Sequence, residues 1–76
     1  MKELLTLFTR GLVKDTGRVS VRQRSEDGVE RFEIEVAPAD RGRVIGRGGR
    51  TVEALRTVMQ AVAARRGLRS SLDVLG

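Results

Sequence analysis

The 76-residue sequence is 39% hydrophobic and contains no cysteine, histidine or tyrosine. A chain of this length builds one modest core, so we expect a single domain over residues 1–76 that carries its function on one surface. Fifteen Lys and Arg against ten Asp and Glu give a net charge of +5, which favours phosphate-bearing partners over acidic ones.

The same composition argues against several classes of protein. Without cysteine there is neither a disulfide framework nor a thiolate metal site, and the scattered acidic residues form no nucleophile–base pair. We therefore expect no enzyme, no metal and no cofactor. No segment approaches the roughly 20 apolar residues that span a bilayer, so the sequence predicts no membrane insertion and a cytoplasmic location.

The first predicted element is an amphipathic helix over residues 2–14. Its apolar positions follow helical spacing and comprise Leu4, Leu5, Phe8, Leu12 and Val13. We expect this face, including Phe8, to lie in the core. Turn-forming residues 15–17 end the helix.

Two runs of alternating apolar and charged residues follow the helix. The first is centred on Val19 and Val21, and the second on Phe32, Ile34 and Val36. A period of two is typical of strands that are buried on one face, so we predict a pair of strands here.

Asp27-Gly28 lies between the two runs and suits a two-residue hairpin turn. A turn centred there places Val21 opposite Ile34 on the buried face. It also places Arg22 opposite Glu33 on the exposed face, where the two can form an ion pair.

The second half of the chain predicts two helices and a strand. A short helix extends from Pro38 to Ile45, and glycines at 46, 48 and 49 end it. A longer helix then has core positions at Val52, Leu55, Met59 and Val62, and Gly67 ends it. Residues 70–75 alternate weakly and form a third strand. The element order is αββααβ, an α+β fold.

The glycine-rich segment between the two helices is the most informative motif. A dinucleotide-binding fingerprint would require glycine at position 51, which is Thr51, and a P-loop would require a lysine, although none occurs after Lys14. What remains is a G-x-x-G turn between helices, in which Gly46 and Gly49 leave the backbone open to a phosphate chain. Nearby cations are Arg41, Arg43, Arg47 and Arg50.

Two plainer interpretations stay open at this point. The glycines could form a tight helix–helix turn that binds nothing, and the arginines could be a solvated basic face. Phosphate contacts of the kind predicted would give salt-dependent affinity with little sequence information.

The run from Val44 to Arg50, followed by Val52 and Leu55, resembles the KH-domain signature, and the αββααβ order is similar to the type II arrangement. The flanking residues 36–40 and 49–56 most resemble the KhpA family of small, stand-alone bacterial KH proteins. This resemblance implies a three-stranded sheet packed against three helices. It also implies a groove in which the loop clamps about four nucleotides of single-stranded RNA.

The resemblance assigns RNA binding to the loop of residues 46–49, and the chemistry of neighbouring residues adds further candidates to the site. Val44 and Ile45 offer apolar surface beneath the bases, and Val36 lines the opposite wall. Gly48 stands where many relatives carry a polar or basic residue, so we expect loose binding. The RNA-binding set is Gly46, Arg47, Gly48, Gly49, Arg50, Ile45, Val44, Arg43 and Val36.

A second surface is predicted on the long helix. Val58 and Ala61 lie partly off its core stripe and, with Met59 and Val62, form a candidate interface. The resemblance implies self-association as a homodimer, or a heterodimer with a larger Jag-type KH protein linked to cell elongation, division and shape.

These observations predict an RNA chaperone or post-transcriptional regulator that binds single-stranded RNA through the G-x-x-G loop. The alternative is a protein-interaction adaptor that uses the KH fold to pair with itself or with a Jag-type protein, with weak or no RNA binding. Single-stranded DNA stays open as a ligand, because the motif contacts the backbone more than the ribose hydroxyl.

Overall fold

The computed structural model describes residues 1–75 and has the predicted αββααβ order. Short 3-10 turns lie between these elements at Thr16–Arg18, Pro38–Asp40 and Arg47–Gly49. The α+β fold class is confirmed. The elements are α1 (Lys2–Leu12), β1 (Ser20–Glu26), β2 (Val29–Glu35), α2 (Arg41–Ile45), α3 (Arg50–Ala64) and β3 (Arg69–Leu75).

The three strands form one sheet with β2 in the centre, β1 antiparallel to it and β3 parallel to it. The hairpin has the predicted register, with Val21 opposite Ile34. Asp27 and Gly28 both have positive φ, at 49° and 77°, which matches the twist of a two-residue hairpin turn.

Arg22 forms an ion pair on the exposed face of the hairpin, but the predicted partner is wrong. Arg22 lies opposite Glu33, but its guanidinium pairs diagonally with Glu35 at 3.7 Å. Both side chains are more than half exposed, so the pair adds little to stability.

One face of the sheet and the inner sides of the helices form the core. Phe32 and Ile34 lie at its centre on β2 and are 2% and 0% exposed, whereas Arg31 and Glu35 on the other face are exposed. Strand β3 contributes Leu72 and Val74 by the same alternation. The remaining core side chains are Leu5, Val21, Val36, Val44, Val52 and Met59.

Helix α1 differs from its prediction in length and in what it buries. It ends at Leu12 instead of residue 14, and it buries only Leu5 and Thr9 fully. Leu4 and Phe8 are 59% and 43% exposed, so their assignment to the core is wrong. The apolar stripe of α1 is wider than the surface that this small sheet offers it, and half of the stripe remains outside.

Helices α2 and α3 are joined by a turn that requires glycine. Gly46, Gly48 and Gly49 have φ values of 80°, 65° and 77°. Gly48 and Gly49 lie in the left-handed helical region, which costs other residues about 1–2 kcal/mol each, whereas the ψ of 167° at Gly46 belongs to a region that essentially only glycine adopts. A Cβ at position 46 would also lie 2.9 Å from the Thr51 backbone nitrogen and closer still to the Thr51 side chain, whereas positions 48 and 49 have open space.

Within residues 1–75, none of the helices is long and apolar enough to cross a membrane.

We expect Gly46→Ala to lower the free energy of unfolding by more than Gly48→Ala. At position 48 a side chain in the left-handed helical region costs about 1–2 kcal/mol, whereas position 46 lies in a backbone region that essentially only glycine adopts, and a side chain there also forces Thr51 to move. Urea denaturation of the two variants and the wild type measures the difference. Equal losses would contradict the close packing of Gly46 against Thr51.

Candidate nucleic-acid interface

The turn at Gly46–Gly49 uses some of its backbone N–H groups in internal hydrogen bonds and leaves others without a backbone acceptor. The Gly46 N–H donates to the Gly42 carbonyl at 2.9 Å, and the Gly49 N–H donates to the Gly46 carbonyl at 3.0 Å. The N–H groups of Arg47 and Gly48 open the 3-10 turn, and the first N–H groups of a helical segment have no acceptor within it. They are donors suited to an anion.

Four arginines lie in or near this turn, and three of them form no ion pair within residues 1–75. Arg41, Arg47 and Arg50 are exposed and form no ion pair within residues 1–75, whereas Arg43 pairs with the Asp40 carboxylate at 3.4 Å. Because α3 begins at Arg50, the positive end of its dipole lies at the same place. The turn is therefore a local centre of positive charge.

A groove of about 320 Å³ opens beside the turn, between α2, α3 and the outer strand β3. Apolar side chains form part of its surface, and charged side chains from all three elements border it. The lining residues are Arg41, Ile45, Gly49, Val52, Glu53, Arg56, Asp73 and Val74.

Arg56 holds two sides of the groove at a fixed spacing. Its guanidinium donates to the Leu72 carbonyl of β3 through Nε at 3.2 Å and Nη2 at 3.0 Å. Its Nη1 pairs with Glu53 on the same helix. The guanidinium of Arg56 thus links α3 to β3, and two of its nitrogens are used in hydrogen bonds to the protein backbone.

Strand β3 presents a free edge to this groove. Leu75 faces β2, since its carbonyl accepts from the Val36 N–H at 3.2 Å, so by strand alternation the backbone groups of residues 70, 72 and 74 face outward. Gln60 binds both backbone groups of Ser70, at 2.8 and 3.3 Å, and Arg56 binds the Leu72 carbonyl. The backbone groups of Val74, which lines the groove, face the same open edge.

The structure brings together most of the predicted binding residues and separates two. Ile45 and Gly49 line the groove. Val44 is 0% exposed and belongs to the core, because neighbouring positions of a helix point about 100° apart and only one of the pair can face outward. Val36 is 3% exposed and lies at another site, beside Arg18 and Pro38, so its assignment to the opposite wall is wrong.

The groove lining also includes residues that were absent from the predicted binding set: Val52, Glu53 and Arg56 on α3, and Asp73 and Val74 on β3. A signal existed in the weak alternation of residues 70–75. It could not show that this strand is the one at the sheet edge next to α3.

The candidate interface on α3 is also changed. Val58 is 55% exposed and Ala61 is exposed, but Met59 is 2% exposed and belongs to the core, and Val62 is half-buried. The larger exposed apolar area combines α3 with α1. We call it the α1–α3 surface, and it consists of Leu4, Leu7, Phe8 and Val58.

An apolar cavity of about 190 Å³ opens on this surface between the two helices. Its lining includes Leu4, Phe8 and Val58 together with Met1 and Leu55. Exposed apolar patches of this kind are typical of protein interaction sites.

Comparison with known proteins shows relatives of nearly the same length. An RNA-binding protein KhpA from Chlamydia pneumoniae is 35% identical over 75 residues, covering 99% of this chain and 96% of its own. That from Treponema pallidum is 36% identical over 74 residues, covering 97% and 92% of the two chains. That from Leifsonia xyli subsp. xyli is 45% identical over 65 residues, 86% of each chain.

A solved structure supports the same fold. The crystal structure of APE1850 superposes with a TM-score of 0.64 at 26% identity, and the match covers 92% of this chain and 48% of that one.

The family model described as the KH domain of KhpA/KhpB matches residues 2–74. This is a family of KH domains and not of enzymes, which agrees with the prediction that the chain is not an enzyme. The glycine turn, the element order and this match over nearly the whole chain lead to one conclusion: the chain belongs to the KhpA/KhpB KH-domain family.

Proposed function

We propose that this chain binds single-stranded RNA by its backbone at the Gly46–Gly49 turn, beside the groove between α2, α3 and β3. The observation that carries the proposal is the positive charge of three exposed arginines that form no ion pair within residues 1–75: Arg41, which lines the groove, and Arg47 and Arg50, which belong to the turn and the start of α3. Relatives from Chlamydia pneumoniae and Treponema pallidum are named RNA-binding proteins, which supports RNA as the ligand.

The charges of the groove suggest how a strand lies in it. Phosphates follow the arginines and the N–H groups of the turn, because both are donors to anions. Glu53 is paired with Arg56, but Asp73 forms no ion pair within residues 1–75 and repels phosphates, so the bases and not the backbone lie on its side of the groove. The backbone groups of Val74 can then pair with a base edge and confer modest base preference.

The same geometry supports modest affinity. Neither aromatic residue lines the groove, since Phe32 is buried in the core and Phe8 lies on the α1–α3 surface. Stacking of bases on aromatic rings, worth about 1–3 kcal/mol per base, is therefore absent. Gly48 adds no side-chain contact, so backbone contacts over about four nucleotides carry the affinity.

We expect the double substitution Arg47→Asp and Gly48→Asp to abolish RNA binding. The matched control is Arg24→Asp with Ser25→Asp, which makes the same change in charge on exposed residues near the hairpin turn. Fluorescence anisotropy with a short single-stranded RNA measures both. In the wild type, three phosphate contacts predict a slope of log affinity against log salt of about −2.

Wild-type binding no stronger than that of the folded loop variant would refute the proposal. A loss of binding in the control equal to that in the loop variant would show that overall charge, and not the turn, holds the RNA. A DNA strand of matching sequence forms the second arm, and equal binding there would widen the ligand to single-stranded nucleic acid.

The cellular role that we propose is that of a cytoplasmic RNA chaperone or post-transcriptional regulator. A grip on the backbone holds many sequences, which suits a protein that keeps strands accessible more than one that selects a single target. The link to cell elongation, division and shape rests on resemblance to the KhpA family.

A second proposed function is protein association through the α1–α3 surface, as a homodimer or with a Jag-type KH partner. The supporting observation is the exposure of Leu4, Phe8 and Val58, which are 59%, 43% and 55% exposed around an apolar cavity. A second copy of this chain would bury these side chains and recover the free energy of apolar burial.

We expect Val58→Asp to abolish self-association, because it places a charge in the apolar contact. Thr57→Asp, which adds the same charge to an exposed neighbour on α3, leaves self-association intact. Light scattering during gel filtration measures the mass of each variant. A monomeric wild type would contradict the homodimer, and loss of RNA binding in folded Val58→Asp would show that the two surfaces are not independent.

A further inference from the structure

Asp40 has a buried carboxylate that lies between two segments distant in sequence. The side chain is 4% exposed. Its Oδ1 accepts the Lys14 N–H and its Oδ2 accepts the Asp15 N–H, both at 3.1 Å, and Oδ1 also lies 3.4 Å from Arg43 Nε. The carboxylate therefore links the segment after α1 to the start of α2.

Helix α2 depends on such contacts for its position. It has five residues, and a helix so short has no stability of its own. Val44 is fully buried and Ile45 packs partly against the core, so apolar contacts hold the C-terminal half of the helix. Asp40, in the turn that opens α2, adds a polar anchor at the other end.

The orientation of α2 determines where the binding groups lie. Arg41 and Ile45 on this helix border the groove, and Gly46 follows it directly. A change in the rotation of α2 would displace all of them together.

We propose that Asp40 is a positioning residue for nucleic-acid binding, which orients α2 and the Gly46–Gly49 turn through the backbone of Lys14 and Asp15 without touching the ligand. The inference rests on the proposed RNA-binding function. It adds a residue that lies outside the groove lining.

The charge of Asp40 fits this role. The N–H groups of Lys14 and Asp15, and then the Arg43 guanidinium, hold the pKa of Asp40 below its usual range despite burial of the carboxyl. A lowered pKa means that the link stabilises the fold at neutral pH and is lost as pH falls through the folded-state value. An Asn at this position would turn an NH₂ toward one of the backbone donors and break the link.

The test compares Asp40→Asn with Ile34→Val, which loosens the core at a fully buried site on β2 that is not part of the link. RNA affinity is measured by anisotropy at a temperature where every variant is folded, and hydrogen exchange reports on the Lys14 and Asp15 amides. We expect Asp40→Asn to weaken binding about 2- to 10-fold, the cost of ordering one or two groups on binding, and to expose both amides. Ile34→Val leaves the affinity unchanged.

Unchanged or tighter binding by Asp40→Asn, with a wild type that binds RNA, would overturn the positioning role and leave the proposed function standing. A wild type that does not bind RNA would overturn both. An equal loss in the Ile34→Val control would show that general stability, not α2, governs affinity. If Asp40→Asn does not fold, Asp40→Glu retains the charge but displaces it, and wild-type affinity in that variant would equally refute the role.

Discussion

The joint between α2 and α3 is built on a constraint of the backbone. Gly46, Gly48 and Gly49 all have positive φ, and Gly46 lies too close to Thr51 for any side chain. This turn joins a five-residue helix to α3, leaves the N–H groups of Arg47 and Gly48 without a backbone acceptor, and lies beside the groove. The placement of the arginines beside the groove therefore depends on this turn.

The outer edge of strand β3 is protected along part of its length and open along the rest. An unpaired edge invites pairing with another strand, and Gln60 and Arg56 of α3 prevent this by binding the backbone of Ser70 and Leu72. Beyond Leu72, the backbone groups of Val74 remain at the open edge beside the groove. The same side chains that protect the edge therefore fix the distance between helix and strand, and with it the width of the groove.

The sequence predicted the features that local chemistry determines. The hairpin register followed from Asp27-Gly28 and alternation, and the joint followed from its glycines, because each requires particular backbone angles. Features that depend on the order of the strands in the sheet, or on which element covers an apolar face, could not be predicted from the sequence. Val44 and Phe8 exchanged their expected exposures, since periodicity shows that a face is apolar but not what covers it. The link made by Asp40 was not predicted, because its partners lie about 25 residues away in the chain.

The most direct test of a backbone clamp at this turn is to follow backbone amide signals by NMR while a short single-stranded RNA is added. The account predicts the largest shifts at the amides of residues 47–50 and at Val74, with little change at the hairpin turn Asp27-Gly28. Shifts concentrated on α1 and around Val58, with none at residues 47–50, would contradict it.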